Sequence, residues 1–551
     1  MKKAFFHSIL LTVLVFCPLL LRGQDRLYVV TDRDSYLSGD VVFCSVFALD
    51  AEGAKEPFSA VSYLELVSTD GTVAEVKIGL FDGRGCGSFR IPATAPTGNY
   101  RLLAYTARSS EAEPAEARLL SVYNTTSSAR VTDGVAVVKE QSDLPEEQAA
   151  VSKGSVTVDL PGKLGTGEKG LLRISGADAD LCISLFHLDG LNRVTNPVLA
   201  DYVSAEAAPA AGRASTGEYE GEIITASVEG LERGLSAGEG EVTAFLSTAG
   251  EPSNVYVGRA AGNGQIQFFT GNIYGERELV CEVVSLYGQS AHISLKSPFR
   301  NPELQAPVPV LELCEAQRQD ILDRKAALIG QAELPLDTLV RFLPKREDLL
   351  LEGTDRIRYH LDDYNRFPTV QEICTEFVSE LNYSRQNGKW SVRIVQRDAA
   401  SGRRYQLENV LVMMDGVVLT DQGKLADFDA MLLEDIDIYR KSLVIGEVPF
   451  NGLVNFITKK NYVTALDFPE NTRIVDFKGL SYPVSYGGAV PETEKDLRQL
   501  LLWLPAQEIS SEETLEIPFR APDYAGTFRL VMQGLQKDGT PVYIEKTFST
   551  R

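Results

Sequence analysis

Hydrophobic positions along this chain come mostly in short runs rich in β-branched and aromatic residues, separated by clusters of Gly, Pro, Asp and Ser. That pattern predicts strands and turns. Leu27–Thr31, Val41–Leu49, Val61–Val67, Gly87–Ile91 and Tyr100–Thr106 predict a β-sandwich over residues 24–122. A stretch rich in Ser, Ala, Glu and Gln follows at 123–154 and reads as a linker. Ser155–Leu160, Leu171–Ser175, Cys182–Leu188, Glu222–Val228, Glu241–Leu246 and Leu279–Ser285 predict a second β-sandwich domain at 155–300. Within it Ser204–Thr216 is an Ala, Ser, Pro and Gly tract, which reads as a mobile loop.

The period changes after residue 300. Leu313, Ile321, Leu322, Leu328 and Ile329 recur near helical spacing, so 301–354 is expected to be a helical linker with these residues on its apolar side. Residues 355–461 mix the two periods. Thr369 and Glu372 form a capping box before a helix whose face carries Val370, Ile373, Cys374, Phe377 and Leu381. Asn387-Gly388 predicts a tight hairpin ahead of the strand Trp390–Val395. The segment 462–551 returns to short strands, with Asp538-Gly539 as a second hairpin, and is expected to be a C-terminal β-sandwich domain. The fold class is thus multidomain and mainly β: immunoglobulin-like or macroglobulin-type sandwiches plus one small α/β domain.

Residues 1–23 add an address. Lys2 and Lys3 precede a nearly continuous apolar run from Ala4 to Leu21, the layout of a secretory signal peptide. Cys17 follows the bulky Leu14-Val15-Phe16, so a free exported form is favoured over a lipid anchor. No other stretch approaches the ~18 apolar residues of a membrane helix, and the mature chain is expected to lack a membrane-spanning segment. Asp and Glu number 76 against 54 Lys and Arg, and loss of Lys2, Lys3 and Arg22 takes the net charge from -22 to -25. Such a surface disfavours nucleic acid, whose phosphates are bound by clustered Lys and Arg. Cys44, Cys86, Cys182, Cys281, Cys314 and Cys374 contain no CxxC pair, and both disulfides such as Cys44–Cys86 or Cys182–Cys281 and buried free thiols are open.

Two families are resembled. Tyr28-Val29-Val30-Thr31-Asp32-Arg33, then Tyr36, Gly39 and Asp40, and later Ile91-Pro92-Ala93-Thr94-Ala95-Pro96-Thr97-Gly98-Asn99-Tyr100 resemble a macroglobulin-type (MG2-like) domain of the alpha-2-macroglobulin superfamily. Val410–Val417, Leu433–Arg440 and Phe450–Lys460 together look like the plug domain of TonB-dependent outer-membrane receptors, over 355–461. Those receptors follow the plug with a large barrel, and the 91 residues after Lys460 are too few for one. Leu501–Pro505 and Gly526–Leu530 are similar to a further macroglobulin- or immunoglobulin-like sandwich. The combination resembles envelope proteins of the Bacteroidetes that carry a barrel-less plug. It implies a location in the periplasm or at the outer membrane, and protein partners that include an outer-membrane β-barrel; the oligomeric state stays open.

The chemical strings are weak beside this. Gly165-Thr166-Gly167-Glu168-Lys169-Gly170 fits GxGxxG, but a strand rather than a helix is expected after it. Gly234-Leu235-Ser236-Ala237-Gly238 fits GxSxG in a Gly-rich setting, with only His292 following in that domain. Gly85-Cys86-Gly87 precedes Ser88-Phe89, where a thioester needs Glu-Gln. His187 alternates with Ile183 and Leu185 and reads as a packed or hydrogen-bonded edge residue, and the Asp362-Asp363 and Glu434-Asp435 pairs read as solvated faces or caps. The sequence therefore nominates no catalytic, cofactor-binding or metal site. It predicts a non-catalytic binding or assembly protein, with a non-covalent protease trap, Ser204–Thr216 as its bait, as the rival.

Overall fold

The computed structural model describes residues 25–551 apart from 51–52, 57, 110–117, 128–133, 140–154, 206–216, 231–241, 251, 263, 286–290, 305–306, 332–338, 346–354, 399, 461–467, 469 and 488–494. The apolar N-terminal segment, the GxSxG string and all but the start of Ser204–Thr216 lie outside the described residues. The chain divides into two compact units. The first combines Met1–Tyr219, Phe299–Lys345 and Leu480–Arg551; the second combines Glu220–Pro298 and Arg346–Gly479.

The first unit begins with a sandwich. Arg26–Thr31, Val41–Leu49 and Arg84–Arg90 form one antiparallel sheet, and Ser35–Leu37, Arg118–Tyr123, Gly98–Tyr105, Val61–Ser68 and Gly71–Gly79 form the other, in that order. Strand alternation sends Leu27, Val29, Val42, Cys44 and Val46 into the core between these sheets. The intervening residues Tyr28, Val30, Phe43 and Phe47 enter a second core with Cys182, Phe186, Leu500 and Trp503. The three-stranded sheet is therefore a wall shared by two cores. Two of its strands, Arg26–Thr31 and Val41–Leu49, read as nearly unbroken apolar runs for that reason.

The other wall of the second core is one sheet of a further sandwich, whose strands come from two distant parts of the chain. Ala179–Leu188 lies between Leu500–Ile509 and Gly526–Gln536, and Pro541–Thr550 pairs with the latter. Against this sheet packs a three-stranded one of Val156–Asp159, Lys169–Gly176 and Leu515–Arg520. The separate sandwich domains expected at 155–300 and 462–551 do not correspond to the sheets: residues 156–188 and 484–550 build one sandwich together. Alternation marks which face of a strand is buried but not which strand lies beside it.

The linker readings also change. Val135–Val137, within the expected linker 123–154, pairs in parallel with Leu311–Leu313, and the helix begins only at Arg318, running to Gln331. Its inner side carries Ile321, Arg324, Ala327 and Leu328, whereas Leu322 and Ile329 are 50% and 59% exposed. The helix has turned a guanidinium inward in place of two expected apolar residues.

In the second unit, Ile223–Glu229, Gln265–Phe269, Arg259–Gly262 and His292–Leu295 form one sheet, and Val242–Thr248, Val255–Val257, Glu276–Ser285 and Thr472–Lys478 another, with a core between them. The rest is an α/β layer. Arg356–His360, Leu433–Tyr439, Leu453–Thr458, Leu411–Met414 and Val417–Val418 make a mixed sheet, on which packs the helix Val370–Glu376. The helix starts as expected: Thr369 Oγ1 accepts from the Glu372 amide at 3.3 Å and donates to Glu372 Oε2 at 2.7 Å. It is shorter than expected, since Leu381 already opens the strand Leu381–Gln386. Asn387 and Gly388 both have positive φ, 49° and 83°, in the tight turn before Lys389–Arg397. No helix among the described residues is long and apolar enough to cross a membrane.

Candidate binding cleft

Where strand Arg26–Thr31 ends, the polar sequence Thr31-Asp32-Arg33-Asp34 is turned against the composite sandwich of the same unit. The backbone is fixed there by side chains. Asp32 Oδ1 accepts from the Tyr36 hydroxyl at 2.8 Å and the Phe43 amide at 2.9 Å. Arg33 reaches Asp40 at 2.9 Å, and Asp40 accepts from the Leu37 amide at 2.9 Å. These bonds close the turn that the sequence marks with Gly39-Asp40.

The resulting cleft encloses about 80 Å³ between this turn, the segment Val194–Val198 and the strands Gly526–Gln536 and Pro541–Thr550. That is room for a few waters. Arg118 closes one wall, its Nε donating to Thr31 Oγ1 at 2.7 Å and Asp34 Oδ1 at 2.8 Å and its Nη1 to the Val29 carbonyl at 3.2 Å. On the other wall Arg529 Nε lies 3.0 Å from Glu545 Oε1, and Tyr543 donates to Glu545 Oε2 at 2.7 Å. Tyr28 hydroxyl sits 2.9 Å from both Gln533 Oε1 and the Pro197 carbonyl.

The electrostatics follow from burial. Asp32 is pushed up to about 6 by loss of solvent, partly offset by Arg33 and the Phe43 amide. Burial disfavours the charge of Arg118, but Asp34 overrides it and holds the guanidinium above its usual range. Three cations and three carboxylates line the cleft and are largely matched to one another. This arrangement can orient a small polar group or water, and it offers no activated nucleophile.

Below the cleft, strand Ala179–Leu188 carries His187. Its Nδ1 lies 2.9 Å from Gln499 Oε1 and 3.9 Å from Asp189 Oδ2, with its ring against Tyr524 and Phe528. Burial lowers its pKa. Asp189 is held by Arg324 of helix Arg318–Gln331 through two bonds of 2.6 and 2.7 Å, and Arg324 also donates to the Ser35 carbonyl at 2.8 Å. His187 is packed and hydrogen-bonded as expected, but its strand is central to the sheet rather than the edge strand expected of it.

The remaining strings fall apart as sites. Gly165–Gly170 is a turn leading into strand Lys169–Gly176, so no helix N-terminus follows it for a pyrophosphate. Cys86 is buried on strand Arg84–Arg90, its thiol pushed up to about 11 by burial. A Cβ at Gly85 or Gly87 would approach Gly79 O at 2.5 Å or Ser481 Cβ at 2.8 Å, so these glycines serve close packing. Cys44 pairs with Gly87 and Ser45 with Cys86, which puts the two thiols on opposite sheet faces and bars a Cys44–Cys86 bridge. Cys182 and Cys281 are likewise buried free thiols. Asp362 neighbours Arg366 and Lys459, and Asp435 pairs with His360 at 2.7 Å. No group of three or more His, Cys, Asp or Glu among the described residues could hold a metal ion.

In the second unit the three quoted segments of 410–460 become adjacent strands: Leu411–Met414 runs parallel to Leu453–Thr458, which runs antiparallel to Leu433–Tyr439. Asp415 and Gly416 make the turn after the first, with φ of 47° and 83°. The Asp415 carboxylate accepts from the Thr458 amide at 2.7 Å and its hydroxyl at 2.6 Å. A Cβ at Gly416 would come within 2.4 Å of Ser253.

Sequence reading missed Arg118, Arg324, Arg529 and Glu545. Each lies on an ordinary strand or helix, with no local motif to single it out. No family model matches the chain, and no curated protein matches it. Among solved structures, trypsin-activated alpha-2-macroglobulin from Escherichia coli is 10% identical over 96% of this chain and 41% of its own, with a TM-score of 0.24. The native conformation of the same E. coli protein is 9% identical, over 96% and 40%, at 0.23. Dimeric latent PorU from Porphyromonas gingivalis is 11% identical, over 50% and 33%, at 0.18. This chain spans about two fifths of the length of those macroglobulins. Likeness at this level transfers no activity to it.

Proposed function

We propose that this chain is an exported, non-catalytic cell-envelope protein that binds or assembles with other proteins, and that its α/β layer is the part that meets an outer-membrane β-barrel. The observation that supports the reading is the adjacency of the three plug-like segments as neighbouring strands of one sheet. The macroglobulin-type strings of the first sandwich support an extracytoplasmic setting. Sandwich edges and loops are surfaces on which partner recognition is commonly built.

Photo-crosslinking in whole cells tests it. A crosslinking residue at Val444, 67% exposed beside that sheet, is expected to capture a barrel protein, whereas one at Phe81, 68% exposed on the first unit, is not. Recovery of soluble proteins alone from Val444 defeats the docking reading. Turnover of ester, peptide or glycoside substrates defeats the non-catalytic one. The trap reading predicts instead that a protease cutting within Ser204–Thr216 stays bound to the cleaved protein and changes its hydrodynamic radius.

A further inference from the structure

We infer that this protein keeps its folded form as two chains after a single cut in an exposed connection between Leu188 and Val484, because the pieces on either side are built into one another's sheets. The coil Leu343–Lys345, exposed at Pro344 and Lys345, gives the clearest case. A cut there leaves residues up to Pro344 on one fragment and the rest on the other. In the first unit five strand pairs span that cut. Val340–Phe342 pairs with Val484–Gly487. Lys169–Gly176 pairs with Leu515–Arg520, Ala179–Leu188 pairs with both Leu500–Ile509 and Gly526–Gln536, and Lys163–Leu164 pairs with the end of Pro541–Thr550. In the second unit Glu276–Ser285 pairs with Thr472–Lys478 over seven residues.

These seams are apolar as well as hydrogen-bonded. Leu172, Ile174, Leu181, Ile183 and Leu185 from the N-terminal fragment share a core with Phe519, Phe528, Leu530, Met532 and Phe548 from the other, all buried. Area of that kind is what holds obligate interfaces together. The fragments are thus partners of the permanent class, joined by a covalent link that the fold does not need once formed.

The test uses the full chain with a recognition sequence for a site-specific protease inserted between Pro344 and Lys345, and a second version with it between Ser401 and Gly402, an exposed hairpin tip. Hydrolysis adds one water across the peptide bond that is cut, leaving a carboxylate and an ammonium group. After cutting, two bands are expected on a denaturing gel and one unshifted peak on native size exclusion. The thermal midpoint, independent of concentration before cutting, should rise with protein concentration afterwards, since unfolding now also separates two chains. Gly534→Val supplies the contrast, because a Cβ at that position meets the Asp180 carbonyl at 2.0 Å across the Ala179–Leu188 seam. It should cause release of the C-terminal fragment only once the chain is cut. Separation of the unsubstituted fragments in native buffer, at either site, overturns the inference; if one insertion blocks folding, the other decides.

Discussion

Arg324 shows how much can rest on one side chain. It is 4% exposed and binds both carboxylate oxygens of Asp189 through Nε and Nη2. Burial alone would raise the Asp189 pKa, yet Arg324 overrides this and lowers it. Arg324→Met should leave that carboxylate buried and unmatched, at a cost of about 3–5 kcal/mol read from denaturant unfolding. The companion Asp189→Asn/Arg324→Met should recover part of the loss. Asp32 makes a pH prediction. Its folded pKa of about 6 lies above the unfolded 3.8, so its contribution is full below about 3.8 and is lost as pH rises through about 6. Asp32→Asn should remove that slope from the stability profile. His187 acts in the opposite sense: burial lowers its pKa, so its contribution is present above the ordinary value of 6.5 and falls as the medium becomes more acidic. The roles of Arg324 and Asp32 are not legible in the sequence. An Arg on an amphipathic helix reads as solvent-facing, and only the fold brings Asp189 beneath it.

Elements were more readable where their signals are local. The capping box at Thr369 and the Asn387-Gly388 and Asp538-Gly539 turns depend on residues a few positions apart, and the structure has each of them. Thr369→Ala should cost about 1 kcal/mol of stability in thermal or denaturant unfolding, because the Glu372 amide loses its acceptor. The same change paired with Glu372→Ala should add little, since both belong to one box. Helix Arg318–Gln331 was legible as a helix but not in its orientation. Its exposed Leu322 and Ile329 satisfy the apolar period as well as the half-buried Ile321 and Leu328 do, and pattern alone does not separate them.

At the scale of the whole molecule the domain boundaries were the least legible feature, because Ala179–Leu188 takes both neighbours from beyond residue 499. A chain ending at Gly479 should therefore fail to form the composite sandwich. Circular dichroism and solubility of the truncated protein check this, and a well-folded, soluble product would refute the pairing. The same strand order sets a schedule during synthesis. Leu188 leaves the ribosome more than 300 residues before Leu500, a wait of roughly 15–60 s at about 5–20 residues per second. Throughout that interval the strand has two open edges and an apolar face. Translation speed, and any chaperone that shields the nascent chain, thereby become determinants of how much of this protein reaches its native state.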